Sequence, residues 1–353
     1  MMMGILNDHE AISKLDSGGM LDTLARFPEN CLHAIEIVKG TPLEELSDRS
    51  FNGVVFIGMG GSSIGGRLVR DWLWEESEVP LVVSNGYHVP GHVKEDTLVI
   101  AVSYSGNTEE TLSSFKEAAE MGASIVAITS GGLLESEARE KGIPVIFLPA
   151  GLKPRAALPY LFFSIASTMN RLGLILKSWE EVDEAIRVLK GLRGEIAYDV
   201  PSTENLATEL ASKLVGHVPV VYGSELLSGV AYRFGTQLNE NSKVPAFSGF
   251  FPELFHNVIL SSQAPRETFE LLRLVLLRDS AGEDAKMTRR IDRFKELMEP
   301  GVSGIEEVRA LGTGRLARIL SMTYLGDFVS VYLGLLNGVD PSSEDAIAEL
   351  KRV

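Results

Sequence analysis

Short apolar runs alternate with amphipathic stretches through the first half of the chain, and this alternation restricts the fold more than any other feature. VVFIG from Val54, VPLVVSNGY from Val79, TLVIAVSYS from Thr97, SIVAITSGG from Ser124 and PVIFLP from Pro144 read as strands. Between them IGGRLVRDWLWEE from Ile64, EETLSSFKEAAEMG from Glu109 and ESEAREKG from Glu135 read as helices. Strands separated by helix-length segments pair in parallel through right-handed crossovers, with helices covering both faces of the sheet. The expected fold is therefore a doubly wound α/β domain. PRAALPYLFFSIASTMNRLG, from Pro154, follows as a helix whose proline start and apolar periodicity suit a domain-closing or interface element.

The second half repeats the plan. VPVVYGSELLSGVAYRFGTQLNENSK from Val218 reads as strand, turn and helix. LLRLVLLRD from Leu271 and GIEEVRALG from Gly304 are strand candidates on either side of the helix DAKMTRRIDRFKELM. A long apolar helix runs from Ala317, and PSSEDAIAELKRV closes the chain as a short helix with Pro and Ser at its start. Two α/β units of similar plan suggest an internal duplication, and 353 residues suffice for two domains. The expected boundaries are a first domain over 1–175, a helical linker over 176–208 and a second domain over 209–353.

Two loops at strand ends carry the chemistry of the first half: GMGGSSIGG (Gly58 to Gly66) and SYSGNTEET (Ser103 to Thr111). A strand, a loop dense in Gly, Ser and Thr, and a helix N-terminus together present backbone N–H groups and hydroxyls to an anion. In a doubly wound sheet, ligands bind at the carboxyl ends of the strands, where both loops fall. One such loop alone would serve equally as a turn and helix cap; two in succession favour a shared phosphate.

Charge narrows the ligand. With 33 Lys plus Arg against 48 Asp plus Glu, the net charge is −15, a field that repels nucleic acid and anionic membrane surfaces. A small phosphorylated metabolite remains compatible, because helix N-termini and hydroxyls supply local positive potential whatever the net charge. The longest apolar stretches are interrupted by charge or glycine and the N-terminus lacks the apolar core of a signal peptide, so no membrane association and a cytoplasmic location are expected. Cys31 is the single cysteine, which excludes an internal disulfide and a cysteine-cluster metal site. His88 and His92 have a metal-like spacing, but Pro90-Gly91 breaks the helix that would aim both rings at one ion, and no metal site is expected.

At these loops the sequence resembles the sugar isomerase (SIS) domain. The chain as a whole resembles the dimeric bifunctional phosphoglucose/phosphomannose isomerases of archaea and some bacteria. GMGGSSIGG, SYSGNTEETL, PRAALPYLF, QLNENSKVPAF with FPELFHNVI, and SMTYLGDFVSVYLGLLNGVDP with AIAELK carry the likeness, from Gly58 to Lys351. SYSGNT is shared by many SIS proteins, whereas NEN followed by PELFHN is the specific part. The resemblance implies two SIS-type α-β-α sandwich domains with mainly parallel sheets, a homodimer, a hexose 6-phosphate substrate and no cofactor. The implied reaction interconverts glucose 6-phosphate, and mannose 6-phosphate with it, with fructose 6-phosphate.

Residue by residue, the resemblance implies that Gly61, Ser62, Ser103, Ser105 and Thr108 hold the phosphate. Aldose-to-ketose isomerisation needs a base to move a proton between C2 and C1, an acid/base to open the ring, and a positive group at the enediolate. Glu240, between Asn239 and Asn241, matches the family's proton-transferring carboxylate; a dry pocket would raise it from about 4.3 toward neutrality. His256 in FPELFHN matches the ring-opening acid/base, which in relatives reaches the other subunit's site. Lys351 matches the lysine of the final helix that assists ring opening. Arg155 matches the arginine that excludes water and stabilises the enediolate, and a cation at a helix N-terminus is otherwise unfavourable. His9, His33, His88, His92 and His217 lie outside the matching patches and are expected to be structural.

One stretch departs from the family: Pro341-Ser342-Ser343-Glu344 stands where relatives often carry a threonine linked to the mannose epimer. Two other readings compete. An amidotransferase-type isomerase would open with a nucleophilic cysteine, whereas this chain begins Met1-Met2, and a non-catalytic sugar-phosphate sensor would carry a basic DNA-binding domain.

Overall fold

The computed structural model describes residues 2–175 and 178–350. It divides into two compact units, Arg26–Val182 and, together, Met1–Ala25 with Asp183–Val353.

Five parallel strands form the sheet of the first unit: β1 (Gly53–Ile57), β2 (Leu81–Ser84), β3 (Thr97–Val102), β4 (Ser124–Thr129) and β5 (Val145–Phe147), in the order β2-β1-β3-β4-β5. Every residue of β1, β3 and β4 is buried, which is why these strands are written as unbroken apolar runs. Val55 pairs with Val99 and Val99 with Ile125, so the registers stack aliphatic side chains across the sheet. One face buries Phe115, Leu112 and Ala118 of the helix Glu109–Glu120. The helix Leu158–Arg171, buried from Leu158 to Met169, packs against the helices Phe27–Lys39 and Gly61–Trp72. The strand order reverses between β1 and β3, which opens the ligand-binding crevice at their carboxyl ends.

The second unit holds β6 (Val218–Gly223), β7 (Phe247–Phe250), β8 (Leu272–Arg278) and β9 (Gly304–Arg309), all parallel, in the order β7-β6-β8-β9. Its core is aromatic: Phe251 lies 5.2 Å from Phe294 and 6.3 Å from Tyr222, edge to face. The helix Ser228–Ser242 follows β6 and packs along the helix Arg315–Leu336. That second helix is long and apolar enough to cross a membrane, yet it is buried inside the structure, as a core helix.

The chain's first 25 residues belong with this second unit, whereas the boundaries expected from sequence place them with the first. Met20, Leu21 and Leu24 of the helix Met20–Ala25 are buried, and the Tyr324 hydroxyl of the core helix donates to the Leu24 carbonyl at 2.9 Å. The stretch expected to be a linker also packs here from Asp183 onward. Leu189, Leu192 and Ile196 of the helix Val182–Ile196 are buried, and Tyr332 donates to the Ile196 carbonyl at 2.8 Å. Glu184 accepts the Thr313 and Gly314 N–H groups at the N-terminus of the core helix. Those bonds hold its carboxyl below the usual range, and they explain why a charged, helical segment is structural.

Candidate active site

The two Gly/Ser loops meet at the carboxyl ends of β1 and β3. Ser62 lies at the first turn of the helix Gly61–Trp72, and its hydroxyl accepts the Tyr104 N–H of the second loop at 3.1 Å. Ser103 is fully buried at the end of β3, and its hydroxyl lies 3.0 Å from that of Thr108. Thr108 is the N-cap residue of the helix Glu109–Glu120, but its hydroxyl makes no capping bond and turns to Ser103 instead. Ser105 is exposed at the loop tip and accepts the Asn107 N–H at 3.3 Å. Gly106 shapes the loop by φ +70°, and a Cβ there would run into the Gly131 carbonyl. Hydroxyls and a helix N-terminus thus converge with scarcely any formal charge, the composition of an anion cradle.

Arg155 joins this cluster. It is 1% exposed in the turn Pro154–Ala157, ahead of the helix Leu158–Arg171. A Cβ on Gly61 would lie 2.9 Å from the Pro154 carbonyl and 3.0 Å from the Arg155 nitrogen, so glycine is what lets the first loop lie against the arginine turn. The contact is made by the Arg155 backbone, and the residue as a whole is buried.

Tyr104, between the two loop serines, escaped the sequence argument. Its hydroxyl donates to the Pro149 carbonyl at 2.7 Å and accepts the Leu152 N–H at 3.0 Å; its carbonyl accepts Ser130 N–H and hydroxyl. With its N–H on Ser62, one residue ties both loops to the segment leading into Arg155. Burial raises its phenol above the usual value, so the hydroxyl keeps its proton to donate. The signal was an apolar-bodied residue flanked by two ligand-type serines.

In the second unit, Glu240 is half-buried in the last turn of the helix Ser228–Ser242. A polar seam fixes this helix against Arg315–Leu336. Arg233 donates to both carboxylate oxygens of Asp327 at 2.9 and 2.8 Å, Gln237 to the same carboxylate at 3.3 Å, and Asn241 to the Ser330 hydroxyl at 2.9 Å. These three donors recur every fourth residue, on one buried face. Burial pushes the Asp327 carboxyl up, while the Arg233 guanidinium opposes that shift. A buried bidentate pair is worth little net stability, but it specifies register. Glu240 lies on this same helix, next to Asn241.

His256 is exposed at the end of the turn Glu253–Phe255, which follows the cis Phe251–Pro252 peptide. Phe251 and Leu254, both buried, anchor that turn in the aromatic core, so an exposed ring is carried on a fixed base. Lys351 lies outside the described residues. The helix leading to it, Asp345–Leu350, has no buried residue, so its apolar spacing docks on nothing within the described chain. Among the other histidines, His33 lies 3.1 Å from the Tyr160 hydroxyl and His9 packs edge-on to Tyr198. Among the described residues no group of three His, Cys, Asp or Glu side chains could hold a metal ion. Cys31 is fully buried, and burial raises its thiol well above the usual value.

Two parallel sheets, with a Ser/Gly cradle at the switch point of the first, define a double-SIS α/β protein. The SIS domain model matches residues 49–141, and the model of the bacterial phospho-glucose isomerase C-terminal SIS domain matches residues 203–353. A bifunctional phosphoglucose/phosphomannose isomerase of Caldicellulosiruptor bescii is 40% identical, covering 94% of this chain and 98% of the relative. Another, from Thermoplasma acidophilum, is 38% identical over 86% of this chain and 90% of its own. The fold also matches a hypothetical protein from Thermus thermophilus, with a TM-score of 0.73 at 17% identity, covering 95% of this chain and 89% of that one. The chain belongs to the bifunctional phosphoglucose/phosphomannose isomerase family.

Proposed function

We propose that this protein interconverts glucose 6-phosphate and mannose 6-phosphate with fructose 6-phosphate through a cis-enediol. The observation that carries the reading is the paired cradle of Ser62, Ser103 and Thr108, bonded loop to loop through Tyr104, with Arg155 buried against Gly61. Gly61, Ser62, Ser103, Ser105 and Thr108 take the phosphate by hydroxyls and N–H groups. Arg155 stabilises the enediolate. Glu240 carries the proton between C2 and C1, and His256 with Lys351 opens the ring.

His256 matches a residue that in relatives reaches the other subunit's site, and the reading takes the protein as a homodimer. The exposed His256 ring supports this, as do Tyr232, Phe247, Phe250 and Leu260, large apolar side chains 43–66% exposed in the same unit. An acidic chain that takes a metabolite through uncharged donors fits a cytoplasmic enzyme acting without metal or cofactor.

A coupled assay with each hexose 6-phosphate, with and without chelator, tests the proposal. Turnover of both aldose phosphates should survive chelation, and Glu240→Gln should lower kcat by about 10²–10⁴-fold, the scale of a lost general base. Absence of isomerisation, or full activity in Glu240→Gln, would remove the assignment.

A further inference from the structure

Lys243 is the one non-glycine residue with positive φ among the described residues, at +56°. It ends the helix that carries Glu240: its N–H donates to the Leu238 carbonyl, and the chain leaves in the left-handed conformation usually given to glycine. A lysine there costs backbone strain that glycine would avoid. The side chain shows what is gained. Its ammonium donates to the Glu240 carbonyl at 2.5 Å and to the Ser343 carbonyl at 2.9 Å. The first bond is local and the second spans 100 residues.

The segment reached by the second bond is held from its other side as well. Ser17 donates to Asp340 at 2.5 Å, and the Ser342 hydroxyl and N–H donate to the same carboxylate at 2.6 and 2.7 Å. From Ser343 the chain enters the helix Asp345–Leu350, which buries nothing and runs toward Lys351. The loop at its base is therefore where that helix is fixed, and Lys243 fastens the loop to the turn that carries Glu240.

We propose that Lys243 is a positioning residue. Its ammonium clasps the Glu240 turn to the Pro341–Glu344 loop, so that the proton-transferring carboxylate and the C-terminal helix keep one fixed spacing. This rests on the function proposed above for Glu240 and Lys351. The strained backbone is the condition for the clasp, because only the left-handed turn brings the side chain back over the last carbonyls of its own helix. A one-ångström displacement of a catalytic group can cost about 10²-fold in rate. The clasp is thus expected to act on kcat and to leave the phosphate handle alone.

Three variants of the full chain separate the ammonium from the backbone. Lys243→Gly keeps the left-handed turn without strain and removes the ammonium, Lys243→Met keeps the stem, and Lys243→Arg keeps a donor. In Lys243→Gly and Lys243→Met, kcat should fall about 10- to 100-fold with KM for fructose 6-phosphate within about threefold of wild type. Lys243→Arg should restore most of the loss. Amide hydrogen exchange in the unliganded protein should quicken at residues 340–350 in Lys243→Gly and Lys243→Met, and stay unchanged across the first unit.

A Lys243→Gly protein with wild-type kcat would reduce the lysine to a helix stop and overturn the proposal. So would unchanged exchange at residues 340–350, or a kcat loss that Lys243→Arg shares equally. If Lys243→Met fails to fold, Lys243→Gly decides. Should wild type prove inactive on hexose phosphates, the function proposed for Glu240 falls by that result, and the exchange measurement still judges the clasp.

Discussion

The two units share a parallel sheet and a strand order that reverses beside the first strand, yet the carboxyl ends of their strands hold opposite chemistries. In the first unit β1 and β3 end in Gly, Ser and Thr, with Ser62 bonded to Tyr104 and Ser103 beside Thr108. In the second, β6 ends in Gly223 before Ser224, and β8 ends in Arg278 before Asp279, with Arg278 and Asp279 both in a cluster of ion pairs. Arg278, 2% exposed, is paired with Glu283 at 2.7 Å and also with Glu307, while Arg318 pairs with Asp279. The protein's own carboxylates lie on the cations that an anion might otherwise seek. One scaffold thus carries a cluster of hydroxyls at these strand ends in the first unit and a cluster of ion pairs in the second. The second unit carries Glu240 on a helix and His256 on a turn, the residues proposed above for the proton chemistry.

Breaking the ionic cluster should give the largest effect. Arg278→Met leaves Glu283 buried without its guanidinium and should cost about 3–5 kcal/mol of unfolding free energy in a denaturant titration. KM for fructose 6-phosphate should stay unchanged in the folded fraction; a large rise in KM would mean that the second unit binds phosphate too. Next in size, Ser103→Ala removes a cradle hydroxyl. It should raise KM roughly tenfold, on the scale of one hydrogen bond to a charged group, with the melting temperature nearly unmoved. If KM does not change, the cradle is only a turn.

Tyr104→Phe keeps the ring and deletes the tie to Pro149 and Leu152. About 1 kcal/mol of stability should go, with a several-fold loss in kcat/KM as the Arg155 segment loosens. Stability lost with kinetics intact would make Tyr104 a packing residue alone.

The smallest effect is a pH dependence at the base of the C-terminal helix. Burial would raise the Asp340 carboxyl, but donors from Ser17 and Ser342 outweigh it and hold the group below its usual value. The unfolded chain then protonates first as pH falls. The stabilisation is complete above about pH 4, the unfolded aspartate range, and disappears as pH drops through the lower folded value. Melting curves of wild type and Asp340→Asn should differ near neutrality and converge in acid; a gap that widens in acid would reverse the sign.

The sequence made the first unit the easier half to read. β1, β3 and β4 are buried on both faces, so their apolar runs are continuous, and the loops that follow carry their chemistry in residue type alone. β7 was hidden because FSGF is short, interrupted by Gly249 and mostly exposed at a sheet edge. The place of residues 1–25 was hidden because packing partners such as Leu24 and Tyr324 lie 300 residues apart. Glu240, His256, Arg155 and the loop residues are expected from residue type and family likeness. Their supports are not: Tyr104, Arg233 with Asp327, and Lys243 act through bonds that only the folded chain brings together. Asp327, a carboxylate inside an otherwise apolar helix, accepts both Arg233 and Gln237.

A calorimetric titration of Glu240→Gln with fructose 6-phosphate tests the division of labour most directly. If the first unit grips the phosphate and the second moves the proton, the variant should bind within about twofold of the wild-type Kd while its kcat falls about 10²–10⁴-fold; a twofold change in Kd is under about half a kcal/mol. Binding weakened as far as in Ser103→Ala, or turnover that persists at the wild-type rate, would contradict it.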